Sequence, residues 1–245
     1  MWLALAALLL AAPSPDDVLA RLDARQQAGG DFKALVQVEQ RTGGQVALTR
    51  EALVYRRDAS GQLLVIVTRP STEQGKAALR VEGHLWSYVP RSGRWEGRGE
   101  QDALAGTGLR GADLDVPRLA ERYIARVEAE ESLEGRPALR LLLSARPGVA
   151  VPSPLVRLWV ERASGSLWRR DELSASGEVL RTATFTGWQR LFSEAKRADV
   201  WYPVEVHLRD ARAPGRVTVV RTRSVDLRPL PANVLTRAWA ESRSR

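Results

Sequence analysis

The chain contains no cysteine. Disulfides, thiolate metal sites and cysteine nucleophiles are therefore excluded, and so is lipidation on a cysteine of its own. Histidine is nearly as scarce, with only His84 and His207. A zinc site needs two or three further ligands of good type, and neither histidine has one at ligand spacing. No G-x-S-x-G turn presents a serine for hydrolysis, and Ser164 in Ala163-Ser164-Gly165 reads as a turn residue. The expectation is no metal, no cofactor and no enzyme. Long apolar runs are also missing. Residues 2–12 form the one apolar stretch of note, too short to span a bilayer but right for a signal-peptide core. Residues 1–12 are expected to be an export signal, and 13–245 a single soluble domain.

Lysine is rare. Of 37 basic residues, all but Lys33, Lys76 and Lys196 are arginine. The net charge of +8 favours anionic partners. The charge is scattered along the chain with no Lys/Arg run, so no nucleic-acid arm is expected. Glu128, Glu130, Glu131 and Glu134 read as a solvated strand edge that discourages edge pairing. Hydrophobic content of 44% is ordinary for a globular protein.

What is present is strand-like. After an amphipathic helix over 16–28 with a Gly29-Gly30 stop, alternation predicts strands at 32–41, 45–57, 62–68, 76–82, 85–90 and 94–98. They resume at 124–133, 137–145, 155–161, 166–174, 179–191, 200–210 and 216–227, with a last helix over 231–241. Turns such as Thr42-Gly43-Gly44 and Ser176-Gly177 suit hairpins. The spacing predicts a mainly β (α+β) chain, an antiparallel and highly twisted sheet or open barrel. Between strands 94–98 and 124–133 lies an irregular Gly-rich segment. Asp115 and Pro117 predict a short helix there. Gly106-Thr107-Gly108-Leu109-Arg110-Gly111 spells G-x-G-x-x-G, but no hydrophobic strand precedes it, so it reads as a hinge rather than a nucleotide site. Large apolar residues followed by a glycine-flanked segment and a short helix suggest a cavity and its lid.

Several elements together resemble the outer-membrane lipoprotein-sorting proteins, the periplasmic lipoprotein carriers and their relatives. They are Gly83 with Leu85-Trp86-Ser87-Tyr88-Val89-Pro90, then Gly111-Ala112-Asp113-Leu114, then Asp171-Glu172-Leu173. Trp201-Tyr202-Pro203-Val204-Glu205-Val206 and Val225-Asp226-Leu227-Arg228-Pro229 follow in the expected order. The resemblance implies an unclosed antiparallel β-barrel whose short helices form a lid over an apolar cavity for acyl chains. On it, Trp86, Tyr88 and Trp159 are expected in the cavity wall. Leu104, Leu109, Leu114 and Leu119 are expected on the inner face of the lid, with Gly106, Gly108 and Gly111 as its hinges. No clear counterpart of the family's strand arginine stands out. The implied function is a monomeric periplasmic carrier of acylated lipoproteins or other envelope lipids towards the outer membrane, served by an inner-membrane ABC-type exporter. A second reading is an envelope-stress sensor or scaffold of the same fold that regulates a membrane partner.

Overall fold

Ser14 starts the first helix, α1 (Pro15–Gln26). Its hydroxyl accepts from the Asp17 N–H, the Asp17 carboxylate takes the Ser14 N–H in return, and Pro15 fills the first turn. The structure, a computed structural model, describes residues 13–104 and 107–244; the expected signal segment 1–12 and the expected hinge Gly106 lie outside them.

Six strands follow α1 as a meander: β1 (Asp31–Thr42), β2 (Gln45–Arg57), β3 (Gln62–Arg69), β4 (Ala77–Val81), β5 (His84–Val89) and β6 (Arg94–Arg98). Gly43 and Gly44 join the first two with φ of 57° and 85°, the pair of positive values that a two-residue hairpin matched to strand twist requires. The connecting segment 99–122 carries a 3-10 turn at Gly111–Leu114 and one helical turn, α2 (Leu119–Arg122). A second meander comprises β7 (Tyr123–Leu133), β8 (Arg136–Ala145), β9 (Leu155–Glu161), β10 (Leu167–Leu173) and β11 (Val179–Thr186). A hairpin of β12 (Gln189–Ser193) and β13 (Ala198–Tyr202) stands apart. Then β14 (Glu205–Asp210), β15 (Arg216–Asp226) and α3 (Arg237–Arg243) complete the described chain.

Thirteen strands form one antiparallel sheet in the order β6-β5-β4-β3-β2-β1-β15-β14-β11-β10-β9-β8-β7. Its two edge strands are consecutive in the chain. Segment 99–122 therefore joins one edge to the other, and it reaches β2 and β4 on one side and β11 and β15 on the other. This is the antiparallel sheet or open barrel that the spacing predicted, with the short helices that the resemblance implied.

Both faces of the sheet are covered. Leu19 and Leu22 of α1 pack on the inner face against Val36, Val54, Leu141, Leu143, Leu158 and their neighbours. Burial of each such leucine is worth about 1.5–3 kcal/mol. On the outer face Val234, Leu235 and Ala240 cover Tyr55, Leu64, Leu79 and Tyr88. Trp239 meets Tyr55 edge-on at 5.1 Å between ring centroids.

Four elements differ from the sequence prediction. The strand expected over 179–191 breaks at Gly187, whose φ is +64°, and the one expected over 200–210 breaks at Pro203-Val204. The pieces nearer these breaks become the separate β12–β13 hairpin. The helix expected from Asp115 is instead a 3-10 turn followed by α2, because Val116-Pro117-Arg118 holds no helical hydrogen bond. The last helix begins only at Arg237, where the Thr236 hydroxyl accepts from the Trp239 N–H.

Candidate functional site

A cavity of about 250 Å³ lies between the inner sheet face and the elements that cross it. Period-2 alternation supplies its apolar wall. Phe32, Ala34 and Val36 of β1, Val54 of β2, Ala183 and Phe185 of β11, Val206 and Leu208 of β14 and Val220 of β15 all point inwards. The cover consists of α1, segment 99–122 and the β12–β13 hairpin. Leu109, Leu114, Val116 and Leu119 come from the segment, and Val200 and Trp201 from the hairpin.

The expected lid leucines are thus brought together: Leu109, Leu114 and Leu119 line the cavity, and Leu104 is buried in the same core cluster. The expected wall residues are not. Leu85 is the β5 side chain that faces the inner cluster, which sends Trp86 and Tyr88 to the outer face. There Tyr88 packs beside Trp95, and Arg237 lies over the Trp86 ring at 4.2 Å. Trp159 alternates with the inward Leu158 and Val160, so it too points outwards, where its indole N–H donates to Glu131 at 2.5 Å.

Gly108 and Gly111 do not act as left-handed hinges, since neither has a positive φ. They are sites of close approach. A Cβ on Gly108 would press into the Thr218 hydroxyl, which accepts the Gly108 N–H at 3.1 Å. A Cβ on Gly111 would lie 3.0 Å from Glu100 and 3.1 Å from Leu85.

Sequence reasoning missed the polar groups that hold the cover down. Four inward positions beside the cover carry arginine: Arg56 on β2, Arg80 on β4, Arg170 on β10 and Arg181 on β11. Arg181, 3% exposed, grips Asp113 with two bonds of 2.6 and 2.7 Å and donates to the Gly108 carbonyl at 2.8 Å. Burial works against its charge, but the Asp113 pair outweighs that and holds its pKa above the ordinary arginine value. Arg80 does the same to Glu100 at 2.7 and 2.5 Å and reaches Asp115 at 3.2 Å. Its pKa is raised as well, again against burial. Arg56 is buried, pairs with Asp58 at 2.7 Å and stacks on Phe32 at 4.7 Å. The available signal was phase: Arg56 alternates with Ala52 and Val54, and Arg181 with Ala183 and Phe185, on faces that are otherwise apolar.

Asp23 of α1 ties the cover elements to one another. It is 5% exposed and accepts the Ala120 N–H at 2.8 Å, while its other oxygen has no partner among the described residues. Burial therefore pushes its carboxyl above the usual range. Gln27 donates to the Pro117 carbonyl at 2.8 Å, and Ser193 of β12 to the Ala28 carbonyl at 2.6 Å. His207 lies on the outer face, where its ring meets the Glu205 carboxylate, which also takes Arg221. His84 is exposed at the start of β5. Among the described residues no helix is long and apolar enough to cross a membrane.

This open barrel with a covered inner cavity is a fold known from solved structures. A LolA superfamily protein from Nitrosomonas europaea superposes with a TM-score of 0.75 at 20% identity, over 93% of this chain and all of that one. A protein described as an outer membrane lipoprotein-sorting domain, from Vibrio parahaemolyticus, gives 0.77 at 16% identity, over 93% and 98% of the two chains. A DUF1329 family protein from Desulfovibrio piger gives 0.77 at 16%, over 92% and 99%. The chain therefore has the fold that these three structures share. A family model described only as an uncharacterized protein matches residues 60–241, about three quarters of the chain, and the chain belongs to that family. No curated protein matches it.

Proposed function

We propose that this protein is a carrier that shelters the acyl chains of lipoproteins or other envelope lipids, taking them from the inner towards the outer membrane across the periplasm. The observation that carries this reading is an apolar cavity roofed by a segment whose leucines face it and which buried ion pairs fasten to both halves of the sheet. At about 250 Å³ the closed cavity is below the roughly 300–1,000 Å³ of sites that enclose a drug-sized ligand. The cover must lift to admit a long chain.

The energetics favour such a device. Each buried CH₂ contributes about 0.8 kcal/mol, so several acyl chains fully enclosed exceed the roughly −20 kcal/mol ceiling of non-covalent binding and are never released. A cover that gives up its Arg181–Asp113 and Arg80–Glu100 contacts when cargo enters offsets part of that gain. An exporter in the inner membrane as donor and a chain that works as a monomer complete the proposal, with residues 1–12 as the export signal. Replacing Leu114 and Leu119 together with Asp tests it. Both are half-buried, so the barrel keeps its melting behaviour while uptake of a fluorescent acyl probe is abolished. Unchanged uptake removes segment 99–122 from the site.

A further inference from the structure

We infer that the cargo is an amphiphile with an anionic headgroup, selected by Arg118, Arg122 and Arg170. The inference rests on the carrier reading and specifies its ligand. These three guanidiniums line the cavity together with the apolar wall. Arg118 and Arg122 flank and form part of α2, and Arg170 lies across from them on β10.

The charges around the cavity do not balance. Its lining includes five arginines, Arg56, Arg118, Arg122, Arg170 and Arg181, against the carboxylates of Asp113, Asp115 and Glu172. The acids are already committed. Asp113 is held by Arg181 at 2.6 Å, Asp115 by Arg80 at 3.2 Å, and Glu172 receives Arg110 at 3.4 Å. What remains for the three rim arginines is loose. Arg122 comes no nearer than 3.7 Å to Asp115, and Arg118 no nearer than 3.7 Å to the largely exposed Glu121, though it also donates to the Asp58 carbonyl at 3.1 Å. Arg170 stands 3.4 Å from Asp113 and from Glu172, and its Nε has no partner among the described residues.

The rim groups also reach water. Their side chains are 34%, 36% and 24% exposed, whereas that of Arg181 is 4% exposed. An arginine that lays its stem along an apolar wall and its head at the opening suits a ligand with a chain inside and a phosphate, sulfate or carboxylate at the mouth. Phosphate and carboxylate match the planar fork of a guanidinium, whereas a zwitterionic head brings its own cation into a ring of arginines.

The test is calorimetric titration of the full chain with dodecyl phosphate and with dodecylphosphocholine, both below their micellar concentrations, and with inorganic phosphate. The two lipids share a chain and differ in charge. Wild type is expected to bind dodecyl phosphate roughly tenfold more tightly, with the difference shrinking as salt rises. Arg118→Gln/Arg122→Gln/Arg170→Gln is expected to lose that preference, the ratio of its two affinities falling to about one, and Arg122→Gln alone to lose part of it. Equal binding of the two lipids by wild type overturns the headgroup inference and leaves the carrier reading standing. Binding of neither overturns both. Inorganic phosphate as tight as dodecyl phosphate overturns the inference in favour of a free-anion site, and an undiminished preference in the triple variant overturns the assignment to these arginines.

Discussion

Gly108 and Asp23 carry the clearest single-residue consequences. Gly108→Ala forces a methyl into Thr218 and is expected to destabilise by about 1–3 kcal/mol, the range for overpacking. Thr218→Ala in the same chain removes the clashing hydroxyl and recovers part of the loss, as read from denaturant midpoints. If Gly108→Ala melts like wild type, the close approach is not a constraint. Asp23 acts through pH. Its folded-state pKa is raised by burial, so its contribution is fully present below the unfolded value and is lost as pH rises through the folded value. Asp23→Asn keeps an acceptor for the Ala120 N–H and removes the charge. The melting temperature of the variant relative to wild type should therefore climb between acid and neutral pH. Parallel curves at all pH values contradict the assignment.

Among the elements, segment 99–122 is fastened from both halves of the sheet, by Arg80 and Arg56 on one side and Arg181 on the other. Arg181→Met leaves Asp113, whose side chain is 6% exposed, with the Arg110 N–H at 2.8 Å and, for a cation, only Arg170 at 3.4 Å. Breaking a buried pair in this way costs about 3–5 kcal/mol. We expect destabilisation of that order, together with faster hydrogen exchange in residues 107–115 than in the β-sheet. Uniform acceleration across the sheet would show that the arginine supports the barrel rather than its cover. Strand existence and hairpin spacing were legible because turn glycines punctuate the alternation: β2, β6 and β9 lie where the pattern put them. The breaks at Gly187 and Pro203 were not legible. Val200, Tyr202, Val204, Val206 and Leu208 keep one phase through the change of sheet, and periodicity does not report which strand lies alongside. Face assignment failed at Trp86, Tyr88 and Trp159 for a related reason. Alternation separates two faces but names the core only when the other face is polar, and here both are covered. The three aromatics should accordingly be dispensable for acyl-probe uptake. Trp159→Ala, which replaces a residue stacked under Arg169 at 4.7 Å, is expected to lower stability and leave uptake unchanged.

At the scale of the whole molecule, one open sheet carries a cover fastened by buried ion pairs as well as by apolar contacts. Apolar wall and cationic rim face the same opening, so on the proposed reading chain and headgroup meet different parts of one cavity. The placement of Leu109, Leu114 and Leu119 against the cavity followed the spacing and the resemblance. The arginines were not legible, because in a chain with so many of them no single one stands out until its neighbours are known. The central claim is that the cavity exists to be filled. Native mass spectrometry of the protein purified from its own cells without detergent, followed by lipid extraction, tests it most directly. The account predicts a species heavier than the bare chain by about one lipid or acylated peptide, lost in the Leu114→Asp/Leu119→Asp variant. A mass equal to the bare chain, with no uptake of added acyl probes, would contradict it and make the inward apolar residues core and nothing more.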